Sequence, residues 1–522
     1  MARGIKTCGF NLWKKKLSFN VYKEDVLMNL SKNQKYRLKF HLMPPRGWMN
    51  DPNGLCFYKG LYHVFFQYAP SGPCAYERYW GHYTSPDMVQ WKYEGIAIRS
   101  DCAWDRNGAF SGCAFTDDGM LELFYTGNVE EEGDYDYINA GRGANVIYVH
   151  SEDGVHFGEK KLLLSNKDYP ADYTCHVRDP KVWKEGDTYH MVLGGRKKND
   201  KGAILHYVSK DKMQWEFKEE ISAEEDFGFM WECPDFFALD GQQVLMCCPQ
   251  GVAREEYRYQ NPHQAGYWLF SDKEGEKSGE HWNENVHFIE TSRFKELDKG
   301  FDFYAPQTFF APDGRRILYG WGGVSEMDRE YRNTPIIEEG WQHSLTVPRE
   351  LKVLNGTIGQ WPVKELEALR YDAVGLADGV FTVDADAFDL EISFATNTAG
   401  EDIAKKETDK ILCTEHYCAG KKEIQLSEEV LLSWQDGVFI LQFLNDSGCG
   451  RRVRKAKIDE FRNIRILKDV SMLEIYINDG EYVFTTRYYP KVGTQTVLNI
   501  KGCDRATLWK MKAMEVDLSN GE

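Results

Sequence analysis

Five times before residue 325 the chain repeats one arrangement of apolar and polar positions: a run rich in aromatic and β-branched residues, a glycine, then a second such run. The copies are Trp48 to Tyr68 about Gly60, Phe110 to Gly127 about Gly119, Val177 to Gly195 about Gly186, Trp231 to Pro249 about Gly241, and Tyr304 to Trp321 about Gly314. Runs of this composition about a turn glycine predict β-hairpins. Successive glycines lie 59, 67, 55 and 73 residues apart. A second pattern falls between them: Ser85-x-Asp87-x3-Trp91, Ser151-x-Asp153-x3-Phe157 and Ser209-x-Asp211-x3-Trp215 share one spacing. Each joins two β-like runs, as an outer hairpin does. Two hairpins give four strands, and five such units in order predict a five-bladed β-propeller over residues 36–350 rather than an ordinary sandwich.

The repeat closes near Gly340-Trp341-Gln342-His343. Residues 351–371, which include Lys364-Glu365-Leu366-Glu367-Ala368-Leu369, are expected as a short helical linker. Beyond them, over 372–522, the pattern is strand-like again. Leu473, Ile475 and Ile477 alternate with Glu474, Tyr476 and Asn478, and Asn478-Asp479-Gly480 supplies a turn. This predicts a C-terminal β-sandwich, so the fold class is all-β. Residues 1–35, with Arg3, Lys6 and Lys14 to Lys16, read as a basic N-terminal extension without a secretory pattern, and Met28 offers a second start.

Composition narrows the function. Of the 522 residues 42% are hydrophobic and 28% charged, and the formal net charge is -17. That balance argues against a nucleic-acid partner, because phosphate affinity needs clustered Lys and Arg. No apolar stretch approaches the ~20 residues that span a bilayer, so no membrane segment is expected. The thirteen cysteines are odd in number and follow no framework, which suits free thiols and a cytoplasmic protein. Cys413-x4-Cys418 around His416 is the single short Cys/His cluster; without a second ligand pair it reads as a loop, and no metal or cofactor is expected. Aromatics reach 14%, which suits β-structure and sugar-stacking surfaces.

The first strand of a propeller blade lines the central channel. Asp51 lies nine residues before Gly60, Asp179 seven before Gly186 and Glu232 nine before Gly241, with Phe110 and Tyr304 in the corresponding places of the other two repeats. Three acids and two aromatic rings should therefore meet in one funnel. Two carboxylates flanking a bond are the minimum for glycoside hydrolysis. Singly the motifs are bland: Asn50-Asp51-Pro52-Asn53-Gly54 is turn-rich, and Arg178-Asp179-Pro180 could be a structural ion pair. Their matching place in separate repeats makes the functional reading the better one.

These residues resemble a known family. Trp48-Met49-Asn50-Asp51-Pro52-Asn53-Gly54, Arg178-Asp179-Pro180 and Glu232-Cys233 are similar, in order, to the signature boxes of glycoside hydrolase family 32, the invertases, sucrose-6-phosphate hydrolases and fructanases. Phe66-Gln67-Tyr68, Trp80-Gly81-His82, Phe110-Ser111-Gly112, Tyr125-Thr126-Gly127-Asn128 and Asp302 to Thr308 support the match. The resemblance implies a propeller with a C-terminal sandwich and a retaining mechanism. It implies Asp51 as nucleophile, Glu232 as acid, and Asp179 gripping hydroxyls of the fructosyl unit. Trp48, Met49, Asn50, Gln67, Trp80, Phe110, Ser111, Arg178, Tyr304 and Trp321 are implied to hold the sugar. The segment Ser71 to Glu77 is longer than the usual loop there, and Cys113 replaces a common serine.

The roles require opposite protonation. Arg178 is expected to keep Asp51 ionised, while the charges of Asp51 and Asp179 should keep Glu232 protonated. The acid limb of a bell-shaped rate profile would then belong to Asp51 and the basic limb to Glu232. The expected substrate is sucrose, sucrose 6-phosphate or a short fructo-oligosaccharide. The alternatives are an exo-fructanase or fructosyltransferase on inulin- or levan-type chains and a non-catalytic carbohydrate-binding propeller.

Overall fold

The computed structural model describes residues 34–270, 289–326, 330–394 and 420–520. The Cys413–Cys418 cluster and most of the N-terminal extension lie outside them. Five propeller sheets follow in chain order, four of them four-stranded and antiparallel, the first carrying four antiparallel strands and two further edge strands. Their inner strands are Gly47–Tyr58, Gly108–Asp117, Tyr173–Glu185, Met230–Leu239 and Tyr304–Phe310, one from each expected repeat. The inner hairpins turn at the predicted glycines. In Lys59-Gly60, Asp118-Gly119 and Asp240-Gly241 both residues have positive φ, the twist that two-residue hairpins favour. A Cβ on any of these glycines would meet nothing within 4 Å, so the backbone angle and not packing demands the residue.

The Ser-x-Asp echo forms the outer turns. Ser85, Ser151 and Ser209 end third strands, and their hydroxyls accept from the backbone N–H groups of Met88, Gly154 and Lys212. Asp87, Asp153 and Asp211 each accept two further backbone N–H groups, which closes the turn at little cost in unpaired donors.

Blade one is extended on both edges. Trp341–Gln342 pairs parallel with Gly47 and Trp48, and Glu515–Asp517 pairs parallel with the outer strand beginning at Gln90. The chain end thus returns to the first blade and covers an otherwise open sheet edge.

Two six-stranded sheets form the sandwich. Phe388, Leu390, Ile466, Ile475, Phe439 and Leu498 fill the space between them, in one core that continues into blades four and five. The linker expected over 351–371 differs from the structure. Arg349–Leu354 and Thr357–Pro362 are the outer strands of blade five, joined by Asn355-Gly356 with both φ positive. Only Lys364–Leu369 is helical, a 3-10 turn that buries Leu366 and Leu369. Without the Asn-Gly hairpin blade five would have two strands, so a boundary at 350 cuts through a sheet.

The alternation at 473–478 marks two buried faces rather than one wet face. Leu473, Ile475 and Ile477 enter the sandwich core, and Glu474 meets the propeller. There, with no exposed side-chain surface, Arg349 of blade five pairs with Glu474 at 2.7 Å and with Asp298 at 3.1 Å. His41 bridges Glu474 and Asp469 at 3.0 and 2.7 Å. Arg451 grips Asp302 through two bonds of 2.7 and 2.6 Å. Charges buried this deeply are tolerable only when fully paired. Arg349→Met, which takes the shared guanidinium from Glu474 and Asp298, should cost about 3–5 kcal/mol by urea unfolding; a loss below about 1 kcal/mol would remove the network from its structural role.

Candidate active site

Every inner strand carries one extra residue at the same height. Three residues span what two span on the neighbouring strand between Met49 and Pro52, Ala109 and Gly112, Arg178 and Lys181, Glu232 and Asp235, and Tyr304 and Gln307. These are β-bulges, which bend a strand and re-aim its side chains. In blades three to five the second residue is left-handed, at Asp179, Cys233 and Ala305 with φ of 62, 47 and 46°. A proline follows each: Pro180, Pro234 and Pro306. Having no N–H, proline leaves no donor stranded where the ladder is broken.

The bulges correct the equivalence drawn from the turn glycines. Arg178, Glu232 and Tyr304 occupy the first bulge position; Asp179 matches Cys233 and Ala305; Asp51 matches Ser111. Matched positions on adjacent blades touch. The Tyr304 hydroxyl donates to Glu232 Oε2 at 2.7 Å, and Arg178 donates to Glu232 Oε1 from Nε at 2.8 Å and Nη2 at 2.5 Å. The Cys233 backbone N–H donates to Asp179 Oδ2 at 3.0 Å. Ser111 Oγ donates to Asp51 Oδ2 at 2.5 Å. One layer below, Asp235 Oδ2 accepts from Lys181 at 3.1 Å and from the Thr308 N–H at 2.9 Å, which ties blades three, four and five together.

Around Asp51 the remaining groups form a relay of fixed donors. Trp48 Nε1 donates to Asn50 Oδ1 at 2.9 Å, and Asn50 Nδ2 donates to both Asp51 Oδ1 and Gln67 Oε1 at 3.0 Å. Gln67 Nε2 donates to Ser111 Oγ at 2.7 Å, so the serine proton must point at Asp51. Trp321 packs edge-on against His343, 5.0 Å between ring centres, with Trp48 and Tyr304 beside it. Two expected sugar contacts are placed elsewhere. Met49 and Trp80 are 0% exposed. Met49 lies in the core of blade one, and Trp80 packs between Phe65 and Tyr125 with its indole N–H on the Phe110 carbonyl at 3.0 Å. Trp80 holds the Phe110 backbone rather than lining the funnel. Phe110 itself is half-buried.

Two partners escaped the sequence reading. Gln250 Nε2 donates to Glu232 Oε2 at 2.6 Å, and Thr126 Oγ accepts the Asp179 N–H at 2.9 Å. Thr126 sits in a motif already noted; Gln250 was signalled only as a polar residue ending an apolar strand.

The charge distribution reverses the expected one. Arg178 shares its bulge position with Glu232 on the next blade, so its guanidinium goes there and not to Asp51. Burial alone would raise Glu232, but the Arg178 charge and the Tyr304 and Arg178 bonds hold it below the usual glutamate value. Burial pushes Asp51 up to about 6, with the Glu232 charge adding and the Ser111 and Asn50 bonds opposing. Burial likewise lifts Asp179 to about 7 against the pull of Arg178.

The described residues hold no group of three or more His, Cys, Asp or Glu arranged for a metal ion, and no helix among them is long and apolar enough to cross a membrane. The glycosyl hydrolase family 32 N-terminal domain profile matches residues 41–362, and the family 32 C-terminal profile matches 444–516. The chain belongs to glycosyl hydrolase family 32. It is 35% identical over 478 residues to a sucrose-6-phosphate hydrolase of Bacillus subtilis, covering 90% of this chain and 92% of that one. A raffinose invertase of Escherichia coli is 35% identical over 470 residues, 87% and 90% of the two chains. Among solved structures, the sucrose-6-phosphate hydrolase of Lactobacillus gasseri superposes with a TM-score of 0.80 at 26% identity, over 95% of this chain and 98% of that one. A Bombyx mori family 32 β-fructofuranosidase gives 0.75 at 27%, over 94% and 98%.

A coupled acid pair turns over only in its singly protonated form, since two protons disable the nucleophile and none disables the acid. The basic limb of kcat/KM should therefore follow Asp51 near pH 6, and the acid limb should follow Glu232 below the ordinary glutamate range. Tyr304→Phe removes a donor from Glu232, raises its pKa and should move the acid limb upward while the basic limb stays. Movement of the basic limb alone would reverse this assignment.

Proposed function

We propose that this family 32 protein is a retaining β-fructofuranosidase that hydrolyses the terminal β-D-fructofuranosyl bond of sucrose or sucrose 6-phosphate. The observation that carries the reading is the pair Asp51 and Glu232, brought from blades one and four to one funnel and held by different partners. Asp51 has both oxygens fixed by donors from Asn50 and Ser111, as an in-line nucleophile needs. Glu232 carries Tyr304, Gln250 and Arg178 on its two oxygens. An arriving glycosidic oxygen replaces one of these partners and receives the proton.

Asp51 attacks the anomeric carbon as the bond to the leaving oxygen breaks, and Glu232 supplies the proton to that oxygen. The fructosyl ester then takes the charge of Asp51 out of the funnel. Water gives its proton to the Glu232 carboxylate and attacks the same carbon, releasing fructose and restoring both groups. Asp179, held by the Cys233 N–H, grips fructosyl hydroxyls and faces the positive charge that develops on the ring. The substrate is a small carbohydrate. The ten described cysteines are free thiols, which supports a cytoplasmic location.

Asp51→Asn should abolish turnover on every fructoside, whereas Glu232→Gln should retain substantial activity on an activated aryl fructoside whose leaving group needs no proton. Equal inactivity of Glu232→Gln on sucrose and on the aryl fructoside would remove it from the acid's role. NMR of the nascent product should show β-fructose before mutarotation; initial α-fructose would mean an inverting enzyme.

A further inference from the structure

We infer that the end of the propeller channel opposite the acids is a second small-molecule site, one that takes a flat aromatic anion of the aromatic carboxylate class. A cavity of about 540 Å³ lies there, within the usual range for small-molecule pockets. All five inner strands wall it, each from just past its bulge toward its turn glycine. Each brings an aromatic ring three or four residues before that glycine: Phe57, Phe115, Trp183, Phe237 and Phe310. Lys181 and Thr308 also line the cavity and are the partners of Asp235, so that layer lies between this site and the acids of the funnel.

Arg316 is what selects an anion. It opens the second strand of blade five, opposite Phe310 in register, and is only 8% exposed. Its guanidinium stacks on two of the wall's rings, 3.6 Å from the centre of Phe310 and 4.5 Å from that of Phe237. Its Nε has no hydrogen-bond partner among the described residues, and its bond to Thr308 Oγ1 is long, at 3.4 Å. The other charges of the wall are matched: Lys181 by Asp235 at 3.1 Å, Lys184 by Asp117 at 3.4 Å, and Glu185 by the Trp183 indole N–H at 2.8 Å. Burial pulls Arg316 down to about 10 against the charge of Asp235, and it stays a cation at working pH. A buried cation without a partner is costly, and a carboxylate answers its planar fork with two parallel bonds. The rings beside the guanidinium suit an aromatic body on that carboxylate rather than a bare inorganic ion.

The test titrates 2-naphthoate and its neutral analogue 2-naphthamide into the full chain by calorimetry. The wild type should bind naphthoate saturably at one site, and the amide at least ~tenfold more weakly. Arg316→Met keeps an apolar stem without the charge, so it should lose about that factor for naphthoate and bind the amide as the wild type does. Phe310 is 55% exposed, so Phe310→Ala leaves the core filled; it should weaken both probes about three- to tenfold. Asp51→Asn should bind naphthoate as the wild type does, because the funnel is not the site. No saturable binding of naphthoate, equal affinity for the amide, unchanged affinity in either rim variant, or a changed affinity in Asp51→Asn would overturn the proposal. Should Arg316→Met fail to fold, naphthoate against naphthamide on the wild type and on Phe310→Ala decides it.

Discussion

A strictly alternating strand sends neighbouring side chains to opposite faces, so Asn50 and Asp51, or Arg178 and Asp179, could not both serve one funnel without the extra residue that each inner strand carries. The bulge sits at one height in all five blades, and it sets which residue meets which across the channel. Arg178 meets Glu232, and Glu232 meets Tyr304, because they share a bulge position on successive blades. The electrostatics of the site follow from that register rather than from closeness in sequence.

Such a site costs free energy, which the surrounding structure must offset. Three left-handed residues cost of order 1–3 kcal/mol each. They persist because prolines follow them and because Asp235, Lys181 and Thr308 knit the blades just beneath. Arg178 donates to Glu232, so its charge is committed there, and burial raises Asp51 and Asp179. The sandwich contributes rigidity from outside, through fully buried charges that leave it one way to seat against blade five.

Much of this was legible in the chain. Turn glycines gave the inner hairpins, the Ser-x-Asp echo gave the outer ones, and the acids were found in the right strands. The misreadings share a cause. Met49 and Trp80 were read from motif membership, yet side-chain direction depends on bulges and strand pairing that no periodicity announces. The hairpin at Asn355-Gly356 is masked by the helical pattern at 364–369, which extends the expected linker over the whole segment. The placement of Arg178 beside Asp51 assumed blades in perfect register, and one residue of offset moved the charge to Glu232. Gln250 is marked only as a polar residue ending an apolar strand.

The proposed double displacement requires Asp51 to form a covalent bond to the sugar while Glu232 handles protons. Glu232→Gln incubated with an activated aryl fructoside, quenched in acid and digested, should yield a peptide spanning Asp51 that carries one hexosyl unit. A hexosyl unit on a peptide spanning Asp179, or none on any peptide while the aryl group is released in a stoichiometric burst, would contradict it.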